Sequence, residues 1–301
     1  MEKTFFVENT EVNMRLDIFL TSKFENFSRN YIQRLIKNNN VIVQQKFAKV
    51  NYLTKLNDEI KIKIPQPQKL AITAENIPLD IVYEDDDLII VNKPQQMVVH
   101  PAIGNFSGTL VNALLFHCKN LSGINGILRP GIVHRIDKNT SGIIVIAKND
   151  NAHRFLAEQF ANHSIEREYL AIVKGNLNEA GTINKPIGRD IHERTKMSIN
   201  TLKGRCAITH YNIIENLKCY TLIKLKLETG RTHQIRVHMA SINHPVLGDD
   251  VYGGSDRNFK LVGQVLHAKT LGFIHPTTKK YVKFEKEPPQ YFLELIKKLR
   301  R

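Results

Sequence analysis

The chain has 301 residues, of which 42% are hydrophobic and 24% are charged. This composition supplies enough apolar side chains for a buried core and excludes an intrinsically disordered chain. The formal net charge is +14, with +5 in residues 1–70 and +9 in the remainder, so the excess is not confined to a tail. A polyanionic partner such as nucleic acid would explain it. A lysine-rich surface that only aids solubility would give the same charge, so charge does not identify the partner.

Cysteine usage and the N-terminal residues indicate the cellular compartment of the protein. Cys118, Cys206 and Cys219 are odd in number, and no two have the Cys-x-x-Cys spacing of a zinc or redox site. We therefore expect a reducing, cytoplasmic compartment. The first residues lack the apolar core of a signal peptide, and no stretch approaches the roughly 20 apolar residues that cross a bilayer. The sequence predicts no membrane association.

Residues 14–64 have the pattern of a small α/β unit. Residues 15–20 are predicted as a first helix, and Ser28 as the N-cap of a second. The second helix carries apolar residues on one face and polar or basic residues on the other, as expected of a helix that packs by one side. Residues 41–43 and 60–64 are predicted as short strands. The apolar face comprises Tyr31, Ile32, Leu35 and Ile36, and the opposite face comprises Asn30, Gln33, Arg34 and Lys37.

This segment resembles the S4 RNA-binding domain, whose helix pair and following turn contact phosphates and sugars of folded RNA. The matching residues are Arg-Leu-Asp at 15–17, the Ser-Arg-x-x-Ile-Gln-x-x-Ile-Lys pattern at 28–37, and Val-Ile-Val at 41–43. The resemblance implies RNA contacts by Arg15, Arg29, Arg34 and Lys37; from the residues alone, a solvated surface is the favoured interpretation. One departure concerns Gln44-Gln45, where the family commonly has Asn-Gly. Without glycine, a tight turn with positive φ is less favoured.

A Pro/Gln stretch at 65–69 separates this unit from a second patterned region, so residues 65–78 are predicted as a linker and 79–301 as a second domain. Residues 79–83 and 88–94 are predicted as a hairpin around the acidic turn 84–87. Further strands are predicted at 143–147, 169–173, 207–214 and 221–227, and helices at 152–161 and 232–242. Strands that predominate among a few helices predict an α+β domain with a mainly antiparallel sheet.

The most informative segment is His-Arg-Ile-Asp-Lys-Asn-Thr-Ser-Gly at 134–142, which places Asp137 among basic and hydroxyl side chains. It resembles the signature of the RluA/RluD-type pseudouridine synthases, enzymes that isomerise uridine in RNA. Asn-Lys-Pro at 92–94, Arg-Glu-Tyr at 167–169 and Gly-Arg-Thr-His-Gln-Ile-Arg at 230–236 match the family in the expected order. The resemblance covers nearly the whole chain. It implies the pseudouridine-synthase fold, in which a curved central sheet carries the active-site cleft across its middle.

The resemblance also implies residue roles. Asp137 would be the catalytic carboxylate, acting as a nucleophile toward the sugar or ring or as a base on the sugar. Arg236 would be the cation that keeps it ionised, and Tyr169 would stack on the target base. Since the glycosidic bond is inaccessible in a stacked helix, the uridine must be flipped out. Arg135 would fill the vacated space or contact a phosphate, and His134 beside it is a further candidate for RNA binding.

Neither a metal ion nor a cofactor is expected. The 12 histidines include no spacing typical of metal sites, and an isomerisation moves no electrons and hydrolyses nothing. The resemblance implies a monomeric enzyme whose partner is large-subunit ribosomal RNA, with transfer RNA or a different ribosomal uridine as the alternative substrate. Two other classes of protein fit the sequence less well. A non-catalytic RNA-binding or ribosome-assembly factor would not need Asp137, Tyr169 and Arg236 together, and a metal-dependent hydrolase would need a ligand cluster.

Overall fold

A computed structural model describes residues 2–24, 27, 29–64, 72–101, 105–118, 121–123, 130–193, 195–199, 201, 203–254 and 259–300. The chain divides into two compact units, Met1–Leu70 and Ala71–Arg301. The predicted linker residues 65–71 and the predicted N-cap Ser28 lie outside the described residues. Within the part of the chain that is described, no helix is long and apolar enough to cross a membrane.

The N-terminal unit is a four-stranded antiparallel sheet with two helices. Its strands are ordered β1-β4-β2-β3. Alternation along β4 buries Ile60 and Ile62, which meet the apolar faces of both helices in one core. The predicted apolar face of the second helix is confirmed, with Ile32, Leu35 and Ile36 buried. The elements are β1 (Glu2–Phe6), α1 (Leu16–Ser22), α2 (Arg29–Lys37), β2 (Val41–Val43), β3 (Lys46–Phe47) and β4 (Glu59–Lys63).

The predicted start of this unit at residue 14 is too late. β1 pairs with β4 from Glu2 to Phe6, so the first strand belongs to the same sheet. Its sequence, Glu-Lys-Thr-Phe-Phe, carries no apolar/polar alternation, and this explains why the pattern did not identify it as a strand. Helix α1 begins one residue later than predicted and ends at Ser22.

The turn between β2 and β3 adopts a conformation that its sequence disfavours. Gln44 and Gln45 have φ values of 46° and 65°, and Val43 pairs directly with Lys46. Two consecutive residues with positive φ in a two-residue hairpin loop are typical of a type I′ turn, for which Asn-Gly is preferred. The backbone N–H of Gln44 donates to the carbonyl of Glu59, and its side chain donates to the carbonyl of Asn57. These hydrogen bonds to residues in and before β4 therefore stabilise the turn conformation that glycine would otherwise favour.

The larger unit is built on a nine-stranded sheet, and the prediction of an α+β domain with a mainly antiparallel sheet is confirmed. Its order is β5-β6-β7-β14-β8-β13-β12-β9, with β15 paired to β14. Register shifts at residues 81–83, 213–215 and 268–270 interrupt three of the antiparallel pairs; such bulges bend a sheet. The strands are β5 (Asp80–Glu84), β6 (Leu88–Lys93), β7 (Ser141–Ala147), β8 (Glu166–Lys174), β9 (Gly181–Asn184), β12 (Ile208–Leu217), β13 (Tyr220–Leu227), β14 (Leu266–Ile274) and β15 (Tyr281–Glu285); β10 (Gly188–Arg189) and β11 (Met197–Ser198) form a separate ribbon.

In the described part of the larger unit four helices accompany this sheet, and each of the two predicted helices is present. Residues 152–161 fall within α4, and α5 occupies the centre of the predicted 232–242 segment. The acidic turn 84–87 is held from within, because Asp85 accepts hydrogen bonds from the backbone N–H groups of Asp87 and Leu88. The helices are α3 (Leu110–His117), α4 (Asp150–Ala161), α5 (Gln234–Ala240) and α6 (Gln290–Arg300).

Among the described residues one strand pair of this sheet is parallel, and it lies in the interior, between β6 and β8. β7 and β14 pair in parallel through Ser141 with His267 and Gly142 with Ala268. Gly142 has φ of 118°, and a Cβ atom there would lie 2.3 Å from the carbonyl oxygen of Ala268. Only glycine permits both this conformation and this approach. Gly142 is the second residue of β7. Its close contact with Ala268 therefore fixes where the preceding loop, residues 134–140, joins the sheet.

Candidate active site

A cleft with a volume of about 500 Å³ lies where this loop faces helix α5 and strand β8. The loop, residues 134–140, supplies one wall, and residues 230–236 supply the other. The segments that sequence resemblance singled out, separated by about 100 positions, therefore meet at one place. The predicted residues that line the cleft are His134, Arg135, Asp137, Tyr169 and Arg236.

The backbone around Asp137 is held by groups on both sides. The carbonyl of Asp137 accepts a hydrogen bond from the backbone N–H of Thr140, which closes a turn. The side chain of Gln264 donates to the hydroxyl of Thr140. Before the carboxylate, Ile136 is buried in the core beneath the sheet. The carboxylate is thus presented by a loop anchored at both ends.

Arg236 links two carboxylates. Its Nη1 donates to Oδ2 of Asp137 at 3.2 Å, while Nε and Nη2 donate to the two oxygens of Asp249 at 2.7 and 2.8 Å. The side chain of Arg236 is 7% exposed, that of Asp249 is fully buried, and that of Asp137 is 18% exposed. Burial alone would lower the pKa of Arg236, but hydrogen bonds and charge from Asp249, and then from Asp137, raise it. Arg236 is therefore a fixed cation held by Asp249 and aimed at Asp137.

Lys93, at the end of β6, is fully buried behind this loop. Its ammonium donates to the carbonyls of Pro94, Met97 and Lys138 at 2.7 to 3.1 Å. Burial lowers the pKa of Lys93 to about 7, and the charge of Asp137 opposes that shift. Because three carbonyl acceptors need three N–H donors, the geometry favours the charged form. Lys93 links β6 to the loop of residues 134–140 and adds positive potential near Asp137.

Tyr169 is half-buried on β8 and lines the cleft. Burial raises the pKa of its hydroxyl, Arg167 opposes this rise, and Asp137 adds to it, so the phenol is neutral. Arg167 is itself buried, and its Nη2 donates to the carbonyl of Glu228. The geometry leaves the ring of Tyr169 at the cleft wall.

His134 and Arg135 differ in their environments although they are adjacent. The Nε2 of His134 accepts a hydrogen bond from the backbone N–H of Val145 at 3.0 Å, and its ring stacks on Phe160 with centroids 4.4 Å apart. Burial, together with Arg167, lowers the pKa of His134 to about 3, so its ring stays neutral. This nitrogen is occupied by the protein backbone, which argues for a supporting role rather than the predicted RNA contact. Arg135 is exposed at the cleft.

The other predicted RNA-binding residues lie in the N-terminal unit. Arg15 and Arg29 each donate to Asp17, whose side chain is fully buried, at 3.0 and 2.8 Å. Gln33 donates to the same carboxylate at 2.6 Å. Arg34 lies over the ring of Tyr31, and Lys37 is exposed in the last turn of α2. All four predicted cations are exposed, and two of them are oriented by one buried aspartate.

One group of possible metal ligands exists among the described residues. Single donor atoms of Glu84, His117 and Cys118 lie within 4.8 Å of one another, and none of the three lines the cleft. Glu84 already accepts from His117 at 2.8 Å and from the ammonium of Lys148 at 2.9 Å. Lys148 supplies the counter-charge that a metal would otherwise provide, so the described residues give this group no need of a metal.

Sequence reasoning did not assign roles to Asp249 and Lys93, although Lys93 lies in the Asn-Lys-Pro segment at 92–94 that resembles the family. A single aspartate in a loop carries no pattern that distinguishes it from a surface residue. For Lys93 one signal was available: β6 is buried on both faces, and a charged residue at the end of a buried strand requires partners. No comparable signal marks Asp249.

Comparisons with known proteins agree with this architecture. Residues 87–241 match the RNA pseudouridylate synthase family. An uncharacterised RNA pseudouridine synthase of Bacillus subtilis is 48% identical over 95% of this chain and 94% of its own length. Ribosomal large subunit pseudouridine synthase D of Zymomonas mobilis is 47% identical over 96% of this chain and 94% of its own. The solved structure of human RNA pseudouridylate synthase domain containing 1 has a TM-score of 0.57 at 26% identity, covering 78% of this chain and 98% of that one. The pseudouridine-synthase fold and the likeness of sequence agree: this chain belongs to the RNA pseudouridylate synthase family and is an RNA-modifying isomerase.

Proposed function

We propose that this enzyme converts specific uridines of large-subunit ribosomal RNA to pseudouridine, with Asp137 as the catalytic carboxylate. The observation that carries the proposal is the position of Asp137 in the cleft, with one oxygen bound by the buried cation Arg236 and the side chain 18% exposed. Relatives at 38–47% identity that bear the name ribosomal large subunit pseudouridine synthase D support the choice of RNA.

The reaction explains why an ionised carboxylate is needed. The N1–C1′ bond of a uridine breaks, the uracil turns, and a C5–C1′ bond forms, after which C5 loses its proton and N1 holds one. Atoms and electrons balance without a cofactor. Asp137 serves either as a nucleophile toward the sugar or ring or as a base on the sugar, and both routes begin with the anion. Arg236 stabilises that anion through a charge-assisted hydrogen bond.

The cleft suits a single flipped-out nucleotide. Its volume of about 500 Å³ lies within the range typical of small-ligand sites. Tyr169 offers an aromatic face on which an extruded uracil stacks, and such stacking offsets part of the cost of removing a base from its helix. Arg135, exposed at the same cleft, is placed to contact a phosphate or to occupy the space that the uridine leaves.

We further propose that the N-terminal unit is an S4-type RNA-binding domain. Its exposed cations Arg15, Arg29, Arg34 and Lys37 provide sequence-independent attraction to phosphates. Asp17 accepts hydrogen bonds from the guanidinium groups of both Arg15 and Arg29, so both are oriented before RNA arrives. Preorganised cations lose less side-chain entropy on binding.

The proposal is tested by mapping pseudouridines after incubating the purified enzyme with large-subunit ribosomal RNA and, separately, with transfer RNA, both transcribed without modification. We expect pseudouridine at discrete positions in the ribosomal RNA. Modification confined to transfer RNA would replace the proposed target and leave the chemistry intact. If neither RNA is modified while the protein is folded by circular dichroism, the proposed substrate is wrong.

A further inference from the structure

His233 stands at the N-terminal end of α5 in a backbone conformation unusual for histidine. Its φ of 56° is left-handed, although the residue is not glycine. Such conformations are costly and persist where the surroundings enforce them, often at functional sites. The side chain of His233 lines the cleft and is 23% exposed, and its Nε2 lies 4.0 Å from Oδ1 of Asp137. This is the carboxylate oxygen that Arg236 does not bind.

The other ring nitrogen of His233 has a defined partner. Nδ1 lies 2.9 Å from the hydroxyl oxygen of Tyr252, and that oxygen accepts a hydrogen bond from the backbone N–H of Met197, also at 2.9 Å. Within the described residues, Nδ1 of His233 is the only acceptor at hydrogen-bonding distance from the Tyr252 hydroxyl. The hydroxyl therefore donates to Nδ1, and a neutral ring then carries its proton on Nε2.

Charges around the ring support the same protonation state. Burial lowers the pKa of His233, the carboxylates of Asp137 and Asp249 oppose that shift, and the guanidinium groups of Arg236 and Arg135 add to it. The ring is therefore neutral near pH 7, and Nε2, which carries the proton, lies 4.0 Å from a carboxylate oxygen of Asp137. The opposite tautomer would place a lone pair against that anion.

We propose that His233 is a positioning residue for Asp137: its Nε2–H group, fixed by the Tyr252 hydroxyl, aligns the Oδ1 oxygen for reaction. This inference rests on the proposed role of Asp137. Arg236 holds Oδ2 at 3.2 Å, and His233 limits the rotation of the carboxylate from the other side. The gap of 4.0 Å exceeds a hydrogen bond by about 1 Å, and catalytic hydrogen bonds that are long in a free enzyme tighten when substrate binds.

Two substitutions separate this role from a purely structural one. In His233→Gln, the side-chain NH₂ group reaches the position of Nε2 and can still donate toward Asp137. In His233→Asn, the shorter amide occupies the position of Nδ1 and cannot reach Asp137, although Asn tolerates positive φ better than Gln. If His233 served only the turn, Asn would be the milder change. The inference predicts the reverse order.

The kinetic experiment uses the full-length enzyme and an unmodified transcript of the RNA that it modifies, under single-turnover conditions. We expect His233→Asn to lower the rate constant of the bound complex about 10- to 100-fold, with RNA affinity within about threefold of the parent. His233→Gln should retain a rate constant at least about five times that of the Asn variant. Equal rate constants for the two variants, or a faster Asn variant, would overturn the inference.

The tautomer is measured separately by ¹⁵N NMR of the histidine rings at pH 7, which requires no activity. His238 serves as an internal reference, because its Nε2 lies 2.9 Å from the carbonyl of Lys185, which can only accept, and its Nδ1 lies 2.9 Å from the hydroxyl of Thr209. His233 should show the same Nε2–H pattern. Tyr252→Phe keeps the aromatic contacts with His233 and Arg236 but removes the donor, so the signal of Nδ1 should shift.

An imidazolium or an Nδ1–H tautomer for His233 in the parent enzyme would contradict the inference whatever the RNA target. Conversely, an enzyme that is inactive on ribosomal RNA but shows the Nε2–H pattern would count against the proposed substrate alone. The kinetic comparison is then made on whichever RNA the mapping identifies.

Discussion

The two units of the molecule use the same residue types in opposite proportions. In the cleft, one arginine, Arg236, is shared by two aspartates, Asp137 and Asp249. In the N-terminal unit, one aspartate, Asp17, is shared by two arginines. The first arrangement buries the cation and leaves the carboxylate of Asp137 partly exposed in the cleft, whereas the second buries the anion and leaves guanidinium groups exposed. In each unit, the residue type present in excess thus supplies the charge that is accessible to a ligand.

The largest effect is expected from Asp137→Asn, which tests whether the exposed carboxylate is the chemical group. The substitution keeps the shape but removes the anion, so we expect the rate of pseudouridine formation to fall at least about 1000-fold. RNA affinity should change by less than about threefold, because phosphate contacts dominate binding. Asp250→Asn, at an exposed neighbour of Asp249, is the matched control and should leave the rate unchanged. More than a few per cent of parental activity in the Asp137 variant would refute its assignment.

Removing the other aspartate of the cleft tests whether Asp249 is the anchor. Asp249→Asn leaves the buried guanidinium of Arg236 without one of its two anions. Breaking a buried ion pair on one side costs about 3–5 kcal/mol, so the unfolding transition of the larger unit should move to lower denaturant concentration. Circular dichroism in guanidinium chloride measures this shift. A loss below about 1 kcal/mol would mean that Arg236 is held mainly by Asp137.

The corresponding change in the N-terminal unit is Asp17→Asn. Since its arginine partners are about half exposed, the expected loss is smaller, about 2 kcal/mol. Burial would raise the pKa of Asp17, but hydrogen bonds from Arg15, Gln33 and Arg29 lower it below its usual 3.8. A carboxyl whose folded pKa is depressed stabilises the fold above its unfolded pKa and loses this contribution as the pH falls.

The parent protein should therefore lose stability of its N-terminal unit as the pH drops below about 4, whereas the Asp17→Asn variant should show a flatter acid limb. Thermal melts from pH 6 to pH 2.5 measure the difference. Identical slopes for parent and variant would show that Asp17 is not the titrating group. The rate constant of the enzyme–RNA complex should stay at the parental value, because Asp17 lies in the other unit.

The smallest effect is expected from single cations on the surface of α2. Arg34→Ala or Lys37→Ala should weaken RNA binding a few-fold at 0.1 M salt and reduce the slope of log affinity against log salt by about 1. Titrations at several salt concentrations give that slope. Glu59→Gln, on β4, has the same size of charge change in the opposite direction and should not weaken binding. An unchanged slope in both cationic variants would remove α2 from the RNA-binding surface.

Much of the larger unit could be predicted, because its strands are strongly apolar runs and its motifs are long. Residues 143–147 and 221–227 were predicted within one or two residues of the observed strands. The pairing of β7 with β14 could not be predicted, since its contacts join residues more than 120 positions apart and local pattern carries no register. For the same reason the role of Asp249 could not be predicted, because its ion pair with Arg236 depends on the tertiary position of α5.

The errors in the N-terminal unit have a different origin. β1 lacks alternation because Phe5 and Phe6 are adjacent, so only its pairing with β4 defines it as a strand. The turn at Gln44-Gln45 shows that tertiary contacts can impose positive φ on residues that do not favour it. Local propensity predicted a less favourable turn, and the hydrogen bonds to Asn57 and Glu59 explain why the turn forms nevertheless.

The close approach of Gly142 to Ala268 also has a consequence for how the chain folds. A joint between strands 126 residues apart cannot form until β14 has left the ribosome, because the pairing partner of Gly142 is synthesised last among the central strands. Contacts of such long sequence separation form slowly. During synthesis the N-terminal unit, which lies within the first 70 residues, can complete its fold before the cleft has formed. Folding kinetics should therefore show a fast phase from the small unit and a slow phase that coincides with the appearance of activity.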